Sequence, residues 1–472
     1  MKTIDAAILR AAGREPPLPA RMMLDDGRVL EILRSLRLLP GKRLTAEARL
    51  NGQPVLAKLF LTRSAARHAK RERAGLRALA DAKLPTPAHV ADGRLAGGGE
   101  LVATRFFAGS VTLADLWRAA PRPPGDARAI GLLGRALALL ARMHATGLAQ
   151  SDLHLDNFLQ HHGRLHLIDG ATVERYPAPL TPQTATANLA ILLAQFPPTW
   201  DAHLEALVAP YIAAGGRISN LPALLNAIHS VRANRLADIL HKSTRNCTLF
   251  SVTKNATRFT STVRKEAEAL APLLKRPDQA IHSGTLLKDG NTATVALTHL
   301  AGRAVVIKRY NLKNFRHAFS RMWRPSRAWH AWHAAHRLVF LDIATPAPLA
   351  VIEERVGPLR RRAYFITVHC PGPNLLELLD PLQPPPDAIA AALVTTFQRL
   401  FDARITHGDL KATNLLWHSG RIFLIDLDAT TAHPSGQSFA ASWARDRARL
   451  LRNWPEDSAL SKWIDQNIPL AR

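Results

Sequence analysis

Three polar residues recur in this chain at fixed spacing. Asp152 is followed by Asn157 and, 17 residues after the first acid (169 − 152), by Asp169. Asp409, Asn414 and Asp426 repeat the set with the same separation (426 − 409), displaced by 257 residues (409 − 152). The surrounding stretches, AQSDLHLDNFLQHHGRLHLID (149–169) and THGDLKATNLLWHSGRIFLID (406–426), align without a gap. Polar residues held at invariant spacing within apolar runs indicate an internal duplication. The first acid of each set follows a helical stretch and lies in a loop, while the last ends an apolar strand. A Gly-Arg turn (Gly163-Arg164, Gly420-Arg421) joins the intervening segments as a hairpin. Two carboxylates and an amide carbonyl then converge at one end of that hairpin. Asp and Asn oxygens suit Mg²⁺, a hard cation that takes few protein ligands and completes its shell with phosphate oxygens. An acid away from the metal can accept a hydroxyl proton.

A lysine inside an apolar strand supplies the remaining part. Lys58 in QPVLAKLFL and Lys308 in GRAVVIKRYNL lie 94 and 101 residues before the first acid (152 − 58, 409 − 308). One such lysine alone reads as an edge residue turned to solvent. One in each half reads as a pair able to neutralise the α- and β-phosphates of ATP. Phosphoryl transfer asks for this combination of positioning and charge neutralisation.

The elements that position these residues also run in parallel. After each lysine strand comes a helical stretch ending near Pro-Thr-Pro or Ala-Thr-Pro (66–87, 328–346), then β-like segments, a short helix and a longer one. Proline clusters at 121–124 and 384–386 punctuate the loop before the long helix. The domain boundary is expected near 245, within 241–265, where apolar periodicity fades; this gives domains 1–245 and 246–472. Neither half contains G-x-G-x-x-G, and LLPGKRLTAE (38–47) and LLKDGNTATV (286–295) are the candidate phosphate-covering turns. In RMWRPSRAWHAWHAAHR (321–337), His330, His333 and His336 are spread too widely round a helix to bind one metal. Trp329 and Trp332 there read as packing residues, with a membrane-interface helix as the other reading. The basic run Arg360 to Arg362 reads as a solvated hairpin, with phosphate recognition as the alternative.

The composition, 47% hydrophobic and 21% charged, is that of a globular protein. The N-terminal residues lack the apolar core of a signal peptide, and no apolar run reaches the roughly 18 residues a spanning helix needs. Two cysteines, one per half, form no disulfide framework, so a cytoplasmic location is expected. A net charge of +25 suits an anionic partner: nucleic acid, lipid headgroups or a phosphorylated substrate. Nucleic acid is not expected, because no zinc-finger spacing, stacking motif or recognition helix is present.

HGDLKATNLL…LID resembles the catalytic loop and metal-binding acid of the protein-kinase-like superfamily. His407-Gly408-Asp409, and Leu-Ile-Asp with no Phe-Gly after it, are similar to bacterial small-molecule and lipopolysaccharide kinases. Residues 305–366, including Ile343-Ala344-Thr345-Pro346, resemble the lipopolysaccharide core (Kdo/heptose) kinase family. The resemblance implies an α+β fold with two tandem bilobal kinase-like domains, each a small β-rich lobe and a larger helical lobe, and ATP and Mg²⁺ as cofactors. It implies Asp409 as catalytic base, Asn414 and Asp426 as Mg²⁺ ligands, Lys308 on the ATP phosphates and Lys411 on the γ-phosphate. In the first half the roles fall to Asp152, Asn157, Asp169 and Lys58, with Glu72 as the lysine's partner and His154 where Lys411 stands. The implied acceptor is a sugar hydroxyl, most simply heptose, of the lipopolysaccharide inner core carried on lipid A. The enzyme would then sit at the anionic inner leaflet, peripheral to the inner membrane. The alternatives are a pseudokinase scaffold in core assembly or a protein kinase. Each half departs from the pattern once: Ala331 stands opposite Glu72, and Ala171 stands opposite Asp428.

Overall fold

The computed structural model describes the chain except for residues 121–122, 301, 312–325, 357–358 and 472 and the side chains of 356, 359 and 360. Pro121, Arg321 to Pro325 and the Arg360 side chain, each part of a stretch singled out above, therefore lie outside the described residues. The fold is mixed α/β, and the chain divides into two compact units, Met1–Arg232 and Ala233–Arg472. The division falls inside the helix Leu221–Lys242, thirteen residues before the boundary read from sequence (245 − 232). The stretch where periodicity fades holds two strands, Phe250–Lys254 and Arg258–Val263, whose hydroxyl residues Thr260, Ser261 and Thr262 are buried. Buried Ser and Thr disguise strands that a purely apolar pattern would reveal.

Each unit is built on a seven-stranded sheet, and five strands run in the same spatial order in both. In the first unit the order is Val29–Leu39, Arg43–Leu50, Gln53–Phe60, Glu100–Arg105, His89–Arg94. In the second it is Thr285–Gly290, Ala293–Leu300, Arg303–Tyr310, Leu359–Val368, Pro348–Val356. The lysine strand is central in each, and its successor in the chain skips one place because a helix intervenes (Ala65–Asp81; Arg327–Phe340). Alternation sends Val55, Ala57 and Leu59 to one face and leaves Lys58 on the other; Val305 and Ile307 do the same for Lys308. The long helices Ala127–Ala145 and Asp387–Asp402 lead into the duplicated motif. Its two strands are closed by His162-Gly163 and Ser419-Gly420, every one at positive φ, as a two-residue hairpin turn requires.

Trp332 is fully buried in the second unit's core and Trp329 packs edge-on against Phe259, so these rings are packing residues rather than a membrane-facing pair. His333 and His336 turn inward on the same helix, each with a buried Nε2 that has no hydrogen-bond partner among the described residues. Burial pushes their pKa values down to about 4 and about 3, while burial, partly offset by the hydrogen bond His144 Nε2 donates to Asn188 Oδ1, brings His144 of the first unit to about 4. The unfolded chain takes up these protons near 6.5, so the folded state loses stability as pH falls from 6.5 towards 4. Melting temperature should drop across that window, and His336→Leu should flatten the drop. An unchanged slope in that variant would refute the assignment. Among the described residues no helix is long and apolar enough to cross a membrane.

Candidate active site

Lys58 Nζ lies 2.6 Å from Glu72 Oε1 and 3.1 Å from Asp169 Oδ1, so the lysine strand, the helix and the end of the motif meet at one cation. Glu72 is 1% exposed and also accepts the backbone N–H groups of Gly170 (3.2 Å) and Ala171 (3.1 Å). A close backbone approach makes this possible. A Cβ on Gly75 would stand 1.8 Å from the Gly170 carbonyl oxygen, so only glycine lets the helix lie on that turn.

The second unit reaches the same end by another route. Ala331, opposite Glu72, is buried in the core and offers no carboxylate. Lys308 Nζ instead lies 2.5 Å from Asp426 Oδ1 and 2.8 Å from Asp428 Oδ2. Asp428 further accepts from the Tyr310 hydroxyl at 2.5 Å and from Arg327 at 2.7 Å. Where the first unit has Gly75 and Gly170, the second has Ala334 and Leu427, both buried. Those side chains bar the same close approach, and a carboxylate two residues beyond Asp426 takes over. The acid missing from the helix has its place beside the lysine taken by Asp428 of the motif, which stands out in sequence only as a residue with no counterpart in the first half.

The remaining motif residues come together in both units. Ile425 N–H donates to Asn414 O (3.0 Å) and Ile168 N–H to Asn157 O (2.9 Å), binding the amide segment to the residue before the second acid. Asp426 and Asp169 themselves have φ of 61° and 70°, the left-handed region that costs an aspartate energy and clusters at functional sites. Asn414 Nδ2 donates to Asp409 O (2.9 Å) and Asn157 Nδ2 to Asp152 O (3.3 Å), which fixes each amide and leaves its carbonyl oxygen to other use. Asn157 Oδ1 is buried without a hydrogen-bond partner among the described residues, an arrangement a cation would satisfy. Among the described residues no three His, Cys, Asp or Glu side chains gather as a metal site. One Asp and one Asn are what Mg²⁺ needs when phosphates complete its shell, so the residues present fit that ion.

Burial raises the carboxyl pKa of Asp169, but Lys58, Arg43 and Arg37 outweigh it and hold the group below the ordinary value. For Asp426 burial is likewise overcome, by Lys308, His407 and Lys288. Both acids are therefore held ionised, ready to face a cation.

The loop acids differ between units. Asp409 Oδ1 accepts from Arg449 (2.8 Å), and Lys411 Nζ stands 3.2 Å from the same carboxylate. Asp446, 3% exposed, accepts the backbone N–H groups of His407 (2.6 Å) and Gly408 (3.0 Å) and so clamps the loop from behind. Neither Asp446 nor Arg449 was found by motif reading. The available signal was an acid at a core position, in the series Phe439, Trp443, Asp446, Leu450. In the first unit Asn188 reaches the loop in the opposite sense, donating to the backbone carbonyl of Gln150 at 2.8 Å, and Ile191 stands three residues on, as Arg449 does from Asp446. The Asp152 side chain is 71% exposed, with His154 Nε2 4.0 Å away, whereas that of Asp409 is 30% exposed.

Residues 278–466 match the family model described as "Lipopolysaccharide kinase (Kdo/WaaP) family". The second half of the chain is therefore similar to that kinase family, in agreement with the resemblance read from its motifs. Among curated proteins no relative matches. Among solved structures, "WaaP in complex with acyl carrier protein" is 20% identical, with 44% of this chain and 89% of that chain covered and a TM-score of 0.31.

Proposed function

We propose that the second unit is an ATP-dependent kinase that phosphorylates a sugar hydroxyl, heptose being the simplest candidate, of the lipopolysaccharide inner core. The observation that carries this reading is the lysine ringed by the motif acids, Lys308 with Asp426 and Asp428, beside a clamped Asp409. In this reading Lys308 neutralises the α- and β-phosphates, and Asn414 and Asp426 would hold Mg²⁺, which supplies charge neutralisation on the phosphate oxygens when bound. Asp409 takes the proton of the acceptor hydroxyl as its oxygen bonds to the γ-phosphorus, and the bond to the β–γ bridging oxygen breaks to release ADP. Lys411 then faces the transferred group, and Arg449 keeps Asp409 aimed. The acceptor would be borne on lipid A, so the protein would work at the anionic inner leaflet, drawn there by its positive charge.

The same roles in the first unit fall to Asp152, Asn157, Asp169, Lys58 and Glu72, which makes the chain a tandem of two bilobal kinase-like domains. A scaffold role is a second reading for that unit, supported by the exposed Asp152 with an isoleucine in the place of Arg449. The test is phosphate incorporation from ATP into under-phosphorylated core lipopolysaccharide, read by mass spectrometry. One added phosphate assigns the reaction to one unit and two added phosphates to both. Tight glycolipid binding by wild type with no incorporation would replace the kinase reading with the scaffold.

A further inference from the structure

Two basic residues far from the motif occupy the same place in both sheets. In the first unit Arg37 is opposite Thr45, and Thr45 is opposite Lys58. In the second unit Lys288 is opposite Val295, and Val295 is opposite Lys308. Directly opposed residues in antiparallel strands present their side chains on one face. Arg37 and Lys288 therefore share the face of the site lysine, two strands away, at about 10 Å between backbones.

The register is not a coincidence of alternation, because each sheet breaks its ladder immediately before the basic residue. The pairing shifts between Ser35 and Arg37 in one unit and between Leu286 and Lys288 in the other, which leaves Leu36 and Leu287 unpaired and exposed. Such a bulge re-aims the following side chain, and bulges concentrate beside active sites. Both basic residues are exposed, and neither has a described hydrogen bond or ion pair. Arg43, two residues before Thr45 and so on the same face, adds a second cation in the first unit. These strands form the hairpins over 38–47 and 286–295, neither of which carries G-x-G-x-x-G.

We propose that Arg37 and Lys288 are positioning residues for the polyphosphate of a bound nucleoside triphosphate, side-chain cations doing from the roof of the site what glycine backbone N–H groups would otherwise do. The proposal rests on the reading that each unit binds ATP. A charge-based roof recognises the number of phosphates, so discrimination should fall in the order triphosphate, diphosphate, monophosphate. It should also be more sensitive to salt than a backbone cradle.

The test uses the full chain in a Lys58→Met background, so that nucleotide binding reports the second unit. ATP, ADP and AMP are titrated calorimetrically against Lys288→Ala and Lys288→Arg, and against Lys308→Met as a reference. The expected result for Lys288→Ala is roughly tenfold weaker ATP binding, a smaller loss for ADP and none for AMP. The KM for ATP should rise with kcat nearly unchanged, and Lys288→Arg should restore both. ATP affinity equal to the parent in Lys288→Ala, while Lys308→Met lowers it, overturns the proposal and leaves the kinase reading intact. No ATP binding by wild type overturns the kinase reading and the proposal with it.

Discussion

Asp409→Asn should lower phosphoryl transfer by the second unit by about 10³-fold, the range set by loss of a positioned general base. The substitution is close to isosteric, and an Asn oxygen can still accept from Arg449, which now lies 2.8 Å from Oδ1. Asp446 holds the backbone of His407 and Gly408 independently of the Asp409 side chain, so the loop should keep its shape. What disappears is the capacity to take up a proton. ATP affinity should therefore remain near the wild-type value while turnover collapses, a split that a folding defect would not produce. Mass spectrometry of core lipopolysaccharide incubated with the variant checks this. The parallel variant Asp152→Asn should delete a separate phosphate if the first unit also turns over. Full incorporation by the double variant would sink both assignments.

The second large effect is expected at Asp428. Its carboxylate, 8% exposed at the side chain, gathers Lys308, Tyr310 and Arg327. Removing one partner of a buried ionic cluster commonly costs 3–5 kcal/mol. Lys308 keeps Asp426 and Arg327 is partly solvated, so Asp428→Ala should cost about 2–3 kcal/mol, a discounted share of that range. Activity should fall as far as in Lys308→Met, because the ammonium loses the carboxylate that holds it against Asp426. Ala331→Glu should not rescue the variant, since Ala334 and Leu427 bar the helix from the approach that Gly75 and Gly170 allow. In the first unit the reciprocal exchange, Glu72→Ala with Ala171→Asp, should recover part of what Glu72→Ala loses, because the Ala171 N–H already touches the Glu72 carboxylate. Thermal melts and ATP turnover decide both. Rescue by Ala331→Glu would show that the backbones are not the obstacle.

The motif was legible because its polar residues are fixed by covalent spacing within one hairpin. Asp409, Asn414 and Asp426, and their counterparts in the first half, sit within 17 residues of chain (426 − 409), and no long-range packing is needed to bring them together. Lys58 and Lys308 were legible for another reason, a charge where strand alternation calls for apolar neighbours. Arg449 and Asp446 were not, because their contacts span about forty residues and depend on how the helix Gly436–Leu451 docks behind the loop. The swap from helix glutamate to Asp428 was visible only as two mismatched positions, Ala331 and Ala171. Connecting them required the backbone separation set by Gly75 and Gly170. The strands at 250–263 were missed because buried hydroxyl residues look like a linker.

Placing the lysine's second carboxylate on the motif rather than on the helix changes what can switch the site off. In the first unit Glu72 rides on Ala65–Asp81, so the helix works as a clutch: a displacement of a few ångströms would disengage Lys58 while leaving every other residue in place. In the second unit Asp428 travels with Asp426 on one short segment, and a shift of Arg327–Phe340 can strain the Arg327 contact without parting Lys308 from its acids. One duplicated scaffold thus carries a disengageable drive in one copy and a locked drive in the other.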